Sequence, residues 1–338
     1  MLTTLAYVLL GSLLVYLGIV LFIGNVGRKK TTSFQSFAIG GKDISWWHIT
    51  LSMAGTFAST GSYLGMAGLG YTAGISFLWW VSLSIPVFIG IYVIFKMTRR
   101  LGIGFKTSYT LSDYLANRYN SDLLRILGVI VTFFLITFFA AQFVSVALIF
   151  QVFLGIPYLW GLLLVATVTM VYTAMGGTWA ALYSDAIQTI IMVIVAATAL
   201  IMLLVMTPLG EVTSLLRAQD PNLATAFNSK FFEFATPVAV AFMWIAVLPM
   251  SSLPQYIKFG YSIKREIDVK YIASGVALIW VITQISGFFG IWGRAILGPG
   301  IAPDQILPMM LVELFPIAIA AAYGIALIAA AMSTVDVQ

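Results

Sequence analysis

Seven stretches of this chain contain no Asp, Glu, Lys or Arg, and they constrain its fold more than any motif does. They run 2–27, 44–95, 126–184, 186–210, 234–257, 271–293 and 314–335. A helix needs about 20 apolar residues to cross the hydrocarbon of a bilayer. The runs of 52 and 59 residues must therefore each hold two spans and a tight turn. The first turn falls at Gly70-Tyr71-Thr72-Ala73-Gly74 and the second at Leu154-Gly155-Ile156-Pro157, where Pro suits the start of a helix. Nine spans result, near 2–24, 46–70, 75–97, 124–152, 157–174, 181–206, 235–257, 270–293 and 316–337. A membrane barrel is excluded, because its strands would be about 10 residues of alternating polarity.

Composition agrees. Of 338 residues, 61% are hydrophobic and 9% charged, with a mean hydropathy of +1.02. Soluble chains carry about 25% charged residues, and one built like this would expose aggregating apolar surface. So little charge also excludes disorder. The chain has no Cys, which removes disulfides, thiolate metal sites and cysteine nucleophiles together.

The basic residues give an orientation. With the N-terminus outside, fourteen Lys and Arg fall at one set of helix ends: Arg28, Lys29, Lys30, Lys42, Lys96, Arg99, Arg100, Lys106, Arg118, Arg125, Lys258, Lys264, Arg265 and Lys270. The other set holds only Arg217, Lys230 and Arg294. Positive residues favour the cytoplasmic side, and this asymmetry accounts for a pI near 9.3 without nucleic acid. The first span lacks a positive leading region and precedes Arg-Lys-Lys, so it reads as a helix with its N-terminus outside and not as a cleaved signal. Thr107–Asn120 reads as a short interfacial helix. The chain stops at Val335-Asp336-Val337-Gln338 with no charge cluster after its last span, which reads as a truncation.

Two spans look broken. Residues 52–62 hold two glycines and five hydroxyl residues, and Val247–Pro254 holds two prolines, each without an N–H. With the opening helix set aside, these are the first and sixth spans. Breaks in corresponding members of two five-helix halves point to a transporter with inverted repeats; close packing and simple kinks are the alternatives. Asp185 and Asp336 are candidates as intramembrane carboxylates, both expected near the cytoplasmic interface within reach of water. His48, beside Trp46 and Trp47, suits an interface role, and with no accompanying ligand cluster a metal centre is not expected. Ala330, Ser333 and Thr334 share one helical face. Their hydroxyls either ligate a hard cation or bond back to the carbonyl one turn earlier.

Several stretches together resemble the sodium:solute symporter family. They are Ser52–Tyr71, Leu154–Pro157, Tyr172–Gly177, Ser184–Gln188 and Ala331–Asp336. Asp220–Leu223, Gly293–Ile296 and Leu307–Pro316 resemble the sodium/pantothenate branch. The resemblance implies an all-α polytopic membrane protein with a LeuT-like inverted-repeat core. Residues 2–24 would be a peripheral helix, 46–206 the first five-helix repeat and 235–338 an incomplete second repeat, all in one transmembrane domain spanning 1–338. It implies a sodium site built from Gly55, Ala58, Ala330, Ser333 and Thr334. Asp185 would serve sodium exit or a second site, but family members with that second site have hydroxyls where Asp336 and Val337 stand, so one sodium per cycle is expected. The implied solute cavity includes Ser59, Thr60, Ser62, Phe138, Gln142, Met250 and Ser251. Family branches that take pantothenate carry an Arg and a Glu where this chain has Leu148 and Gln151, leaving hydroxyls, amides and broken-helix N–H groups to meet a substrate carboxylate.

The function expected is sodium-coupled import of a small organic solute across the plasma membrane, a carboxylate such as pantothenate or a monocarboxylate, or else an amino acid. Its partners would be Na+ as coupling ion, the solute and the lipid bilayer. A symporter-like sensory module is the rival. An enzyme is not expected, for want of a nucleophile–base pair or metal cluster, nor is a passive channel.

Overall fold

The computed structural model describes residues 2–41, 44–104 and 110–337. Lys42, Lys106 and the first three residues of the expected interfacial segment lie outside them. Helix α1 (Leu2–Lys30) is followed by the short α2 (Phe34–Ile39), then by α3 (Trp46–Phe57) and α4 (Thr60–Ala73). A single turn, α5 (Leu78–Val81), leads into α6 (Ser84–Gly104). The interfacial helix is α7 (Leu111–Tyr119), capped by Thr110 and ended by Asn120 in the left-handed region. Next come α8 (Asp122–Phe133), α9 (Ile136–Ile149) and the long α10 (Tyr158–Met206). The remainder is α11 (Leu209–Gln219), α12 (Pro237–Val247), α13 (Pro254–Ser262), α14 (Asp268–Thr283), α15 (Ile285–Leu297), α16 (Ile306–Leu314) and α17 (Ile317–Val337).

Among the described residues six helices are long and apolar enough to cross a membrane, or seven if α12 and α13, bent by 57°, count as one. This is fewer than the nine expected, because interruptions and mergers redistribute the same apolar runs. Helix α10 spans 49 residues. At about 1.5 Å per residue it would be more than twice the hydrocarbon thickness. Its backbone breaks at Gly177 (φ 54°, ψ −145°), a conformation that glycine reaches without steric cost, so α10 holds two of the expected spans. Both turns inside the long runs stand where expected: Gly74 (φ 67°) ends α4, and Gly155 (φ 64°) with Pro157 opens α10. Helices α11 and α16 fall between the expected spans.

Lipid offers no hydrophobic drive between helices, so close backbone approach holds them together. On α4 and α15 a Cβ on Gly70 would overlap the Gly287 carbonyl, and one on Gly290 would overlap that of Ala67. Helix α17 is buried along almost its whole length, packed against α1, α3 and α10. It carries its hydroxyl face to the break between α3 and α4.

Candidate cation and solute site

The interruption between α3 and α4 follows from local chemistry. Ala58 leaves the helical region (φ −83°, ψ 50°), and Ser59 is extended and accepts from the Ser62 amide at 3.1 Å as the N-cap of α4. The break leaves the carbonyls of Gly55, Thr56 and Phe57 without their regular intrahelical donors, and buried carbonyls need partners. Each takes a hydroxyl instead. Ser333 Oγ donates to Gly55 O at 3.2 Å, Thr334 Oγ1 to Thr56 O at 3.3 Å, and Ser62 Oγ to Phe57 O at 3.5 Å. The hydroxyls of Ser333 and Thr334 also reach back to Ala330 O at 3.1 and 2.9 Å. Thr56 Oγ1 approaches Ser333 O at 3.4 Å and donates to Ser52 O at 2.9 Å. The back-bonding reading of this face is therefore observed, and the same hydroxyls also reach the carbonyls of α3.

The result is a buried knot of carbonyl and hydroxyl oxygens from two helices, with Ser333, Thr334 and Ala330 fully buried. It fits a hard cation. Oxygens about 2.3–2.6 Å from such an ion lie about 3.3–3.7 Å from one another in an octahedral shell. The observed separations of 2.9–3.4 Å need open by only a few tenths of an ångström. Hydroxyl hydrogens, now on carbonyls, can rotate away so that lone pairs face the ion.

Four of the five expected cation residues, Gly55, Ala330, Ser333 and Thr334, are joined by hydrogen bonds. Ala58 is buried at the break, its N–H on Ala54 O, with no hydroxyl of α17 placed on it. Thr56, which the sequence reading omitted, takes that contact. Gly55 is required for a second reason: a Cβ there would overlap Thr189 Oγ1, which is buried and donates to Leu51 O at 2.8 Å. The i,i+4 hydroxyls Ser52 and Thr56 were the available signal for this face.

Asp185 and Asp336 differ from expectation. Asp185 is fully buried and Asp336 nearly so, with Asp336 lining a cleft beside Phe37, Thr169 and Thr173. Ser52 Oγ donates to Asp185; Tyr172 OH and Ser184 Oγ donate to Asp336 at 2.6 and 3.2 Å. The two carboxyls face one another, and Lys258 of α13 lies near both. Packing of α3, α10, α13 and α17 buries both carboxyls more deeply than sequence position suggested. His48 stacks on Trp47 at 3.5 Å.

The expected solute residues form two groups. Gln142 is buried, accepts from the Gly61 amide at 3.4 Å and stands with Ser59, Thr60 and Ser62 at the start of α4. Ser59 and Ser62 hydroxyls are 2.8 Å apart, Thr60 Oγ1 donates to Leu327 O at 2.5 Å, and Phe138 lies one turn before Gln142, partly exposed. Met250 and Ser251, at the α12–α13 break, instead border a space with Phe57 too small to admit a water molecule, where the Ser251 hydroxyl has no partner. Phe57 stacks on Tyr256 at 4.2 Å. The structure brings the first group together and places the second at the α12–α13 break, beside Phe57.

The model of the sodium:solute symporter family matches residues 37–338. The chain belongs to that family. A sodium/pantothenate symporter of Haemophilus influenzae is 27% identical over 93% of this chain and 65% of its own length. A sodium/proline symporter 2 of Staphylococcus saprophyticus is 31% identical over 54% of this chain and 37% of its own. The chain thus spans between about one third and two thirds of the length of these curated relatives. A substrate-bound, outward-open structure of a Na+-coupled sialic acid symporter superimposes with a TM-score of 0.78 over 98% of this chain and 70% of the other, at 20% identity. That likeness establishes the shared helical fold.

Proposed function

We propose that this chain supports sodium-coupled secondary active symport of a small organic solute in the plasma membrane, with its N-terminus outside. The observation that carries the reading is the pair of α17 hydroxyls, Ser333 and Thr334, seated on the Gly55 and Thr56 carbonyls released by the break in α3. Carbonyls at interrupted membrane helices are where transporters hold coupling cations. Sodium would bind at Gly55, Ala330, Ser333 and Thr334, with Thr56 or Ala58 giving a further carbonyl, and bridge the helices α3 and α17. Residues 46–206 would be the first inverted repeat, and 235–338 would belong to the second. Coupling requires sodium to favour the conformation that binds solute; equal affinity for both conformations would shift nothing.

The solute is a carboxylate, pantothenate or a monocarboxylate. The start of α4, with Ser59, Ser62 and Gln142, offers hydroxyl, amide and helix-terminal N–H groups to an anion. The relatedness to proline symporters favours amino-acid transport as the second reading. Thermal unfolding of the purified chain in detergent, in sodium against potassium at equal ionic strength, tests both. Sodium-specific stabilisation, raised further by one of pantothenate, lactate or proline only when sodium is present, is the expected result. Equal melting in the two salts would overturn it.

A further inference from the structure

A second site lies away from this one, where α6 emerges from the apolar slab. A cleft of ≈ 700 Å³ opens between α6 and the interfacial helix α7, lined from α6 by Val93, Lys96, Met97 and Arg100 and from α7 by Leu115 and Arg118. Its position in the sequence is informative. Val93 stands inside the charge-free run 44–95, and Lys96 is the first charge after it. The cleft therefore straddles the boundary between hydrocarbon and headgroups. Tyr92, Tyr114 and Tyr119 ring it, the residue type that settles at that depth. Val93 and Met97 are about half exposed, facing outward from the bundle.

The charges do not cancel. Arg100 bonds Glu266 at 2.8 Å and Lys96 lies 3.8 Å from the same carboxylate. One Glu thus serves two cations, and Arg118 has no carboxylate partner among the described residues. Lys96 is also anchored, donating to Tyr92 OH at 3.0 Å with its ammonium 4.8 Å from that ring. A smaller cleft of ≈ 300 Å³, sharing Tyr92 and Lys96, adds Lys270. The surplus is cationic, and the cleft that holds it also presents Val93, Met97 and Leu115.

We propose that this cleft binds an anionic phospholipid, its phosphate between Lys96, Arg100 and Arg118 and an acyl chain against Val93 and Met97. Basic pockets between membrane helices beside an apolar surface suit such headgroups, and an amphipathic helix such as α7 lies in the interface that supplies them. A free phosphate would satisfy the cations alone, while a phospholipid would also cover Val93, Met97 and Leu115. Bound lipid would tie α7 to α6.

Native mass spectrometry of the purified chain, titrated with phosphatidylglycerol, phosphatidylcholine or inorganic phosphate, tests this. Phosphatidylglycerol is expected to bind, phosphatidylcholine of the same acyl chains at least tenfold more weakly, and phosphate not measurably. Each removed charge, in Lys96→Gln and Arg118→Gln, should weaken phosphatidylglycerol about fivefold, from roughly 1 kcal/mol per basic residue. Arg125→Gln, an equal loss of charge outside the cleft, should leave it unchanged. Leu115→Trp, which fills the apolar side and keeps every charge, should weaken it too. If the Gln variants lose their fold, the Leu115→Trp comparison still decides. Equal binding of both lipids, equal loss in Arg125→Gln, or phosphate competing as well as lipid would each overturn the proposal.

Discussion

Removing the Ser333 hydroxyl is the sharpest test of the cation site, and its size can be worked out beforehand. In Ser333→Ala the Gly55 carbonyl loses the 3.2 Å bond that replaces its helical donor. A buried carbonyl left unsatisfied costs about 1–3 kcal/mol, and this cost is present in any salt. The sodium-dependent effect is separate. At a sodium concentration about 100 times its Kd, binding stabilises the folded state by about 2.7 kcal/mol. Losing one ligand that raises Kd tenfold, about 1.4 kcal/mol, would cut that increment to about 1.4 kcal/mol at the same concentration. The difference between sodium and potassium melts should therefore shrink by about half, on top of a uniform drop. Thr198→Ala supplies the control, since Thr198 is a back-bonded hydroxyl on α10, donating to Ile194 O at 2.8 Å far from the knot. Thermal unfolding in detergent across a sodium titration reads both quantities. A uniform drop with an undiminished sodium increment would refute the assignment and leave Ser333 a helix-packing residue.

Gly290→Ala should destabilise the folded chain by about 1–3 kcal/mol or prevent its folding, because the new methyl meets the Ala67 carbonyl of α4; melting as wild type would show that α4 and α15 are not so close. Gln142→Ala should weaken the solute-dependent increment while sparing the sodium one, since Gln142 contacts the Gly61 amide and not the Ser333 face; loss of both would place it in the cation site. The hydrogen bond from Lys230, with a further bond from the Asn222 amide, holds the Asp220 carboxyl below its ordinary value, outside the membrane. A depressed value means that its contribution is present above about pH 4 and lost as pH falls through the lowered value. Protease protection of the 207–234 segment should thus fall only as pH drops below about 4 in the wild type and change less in Asp220→Asn. Identical profiles would remove the pair from any role in ordering that segment.

The apolar runs, the turns at Gly74 and Gly155 and the interruptions near 58 and 249 were legible because lipid leaves few options. A span needs about 20 apolar residues, and the chain shows where they are lacking. The hydroxyl face of Ala330, Ser333 and Thr334 was legible for the same kind of reason, since helical spacing alone puts them together. What the sequence could not settle was which way each uniformly apolar helix turns about its axis, because such a helix has no polar stripe to orient it. Only the packed structure places Thr334 on Thr56, 278 residues away, where Ala58 was expected. It also decides that Asp185 meets Ser52 and faces Asp336 in a buried cluster, and that Phe57 lies beside Met250 and Ser251. Those outcomes depend on contacts between distant helices, which local periodicity does not encode, and on glycines whose missing Cβ atoms let the backbones approach closely enough to make them.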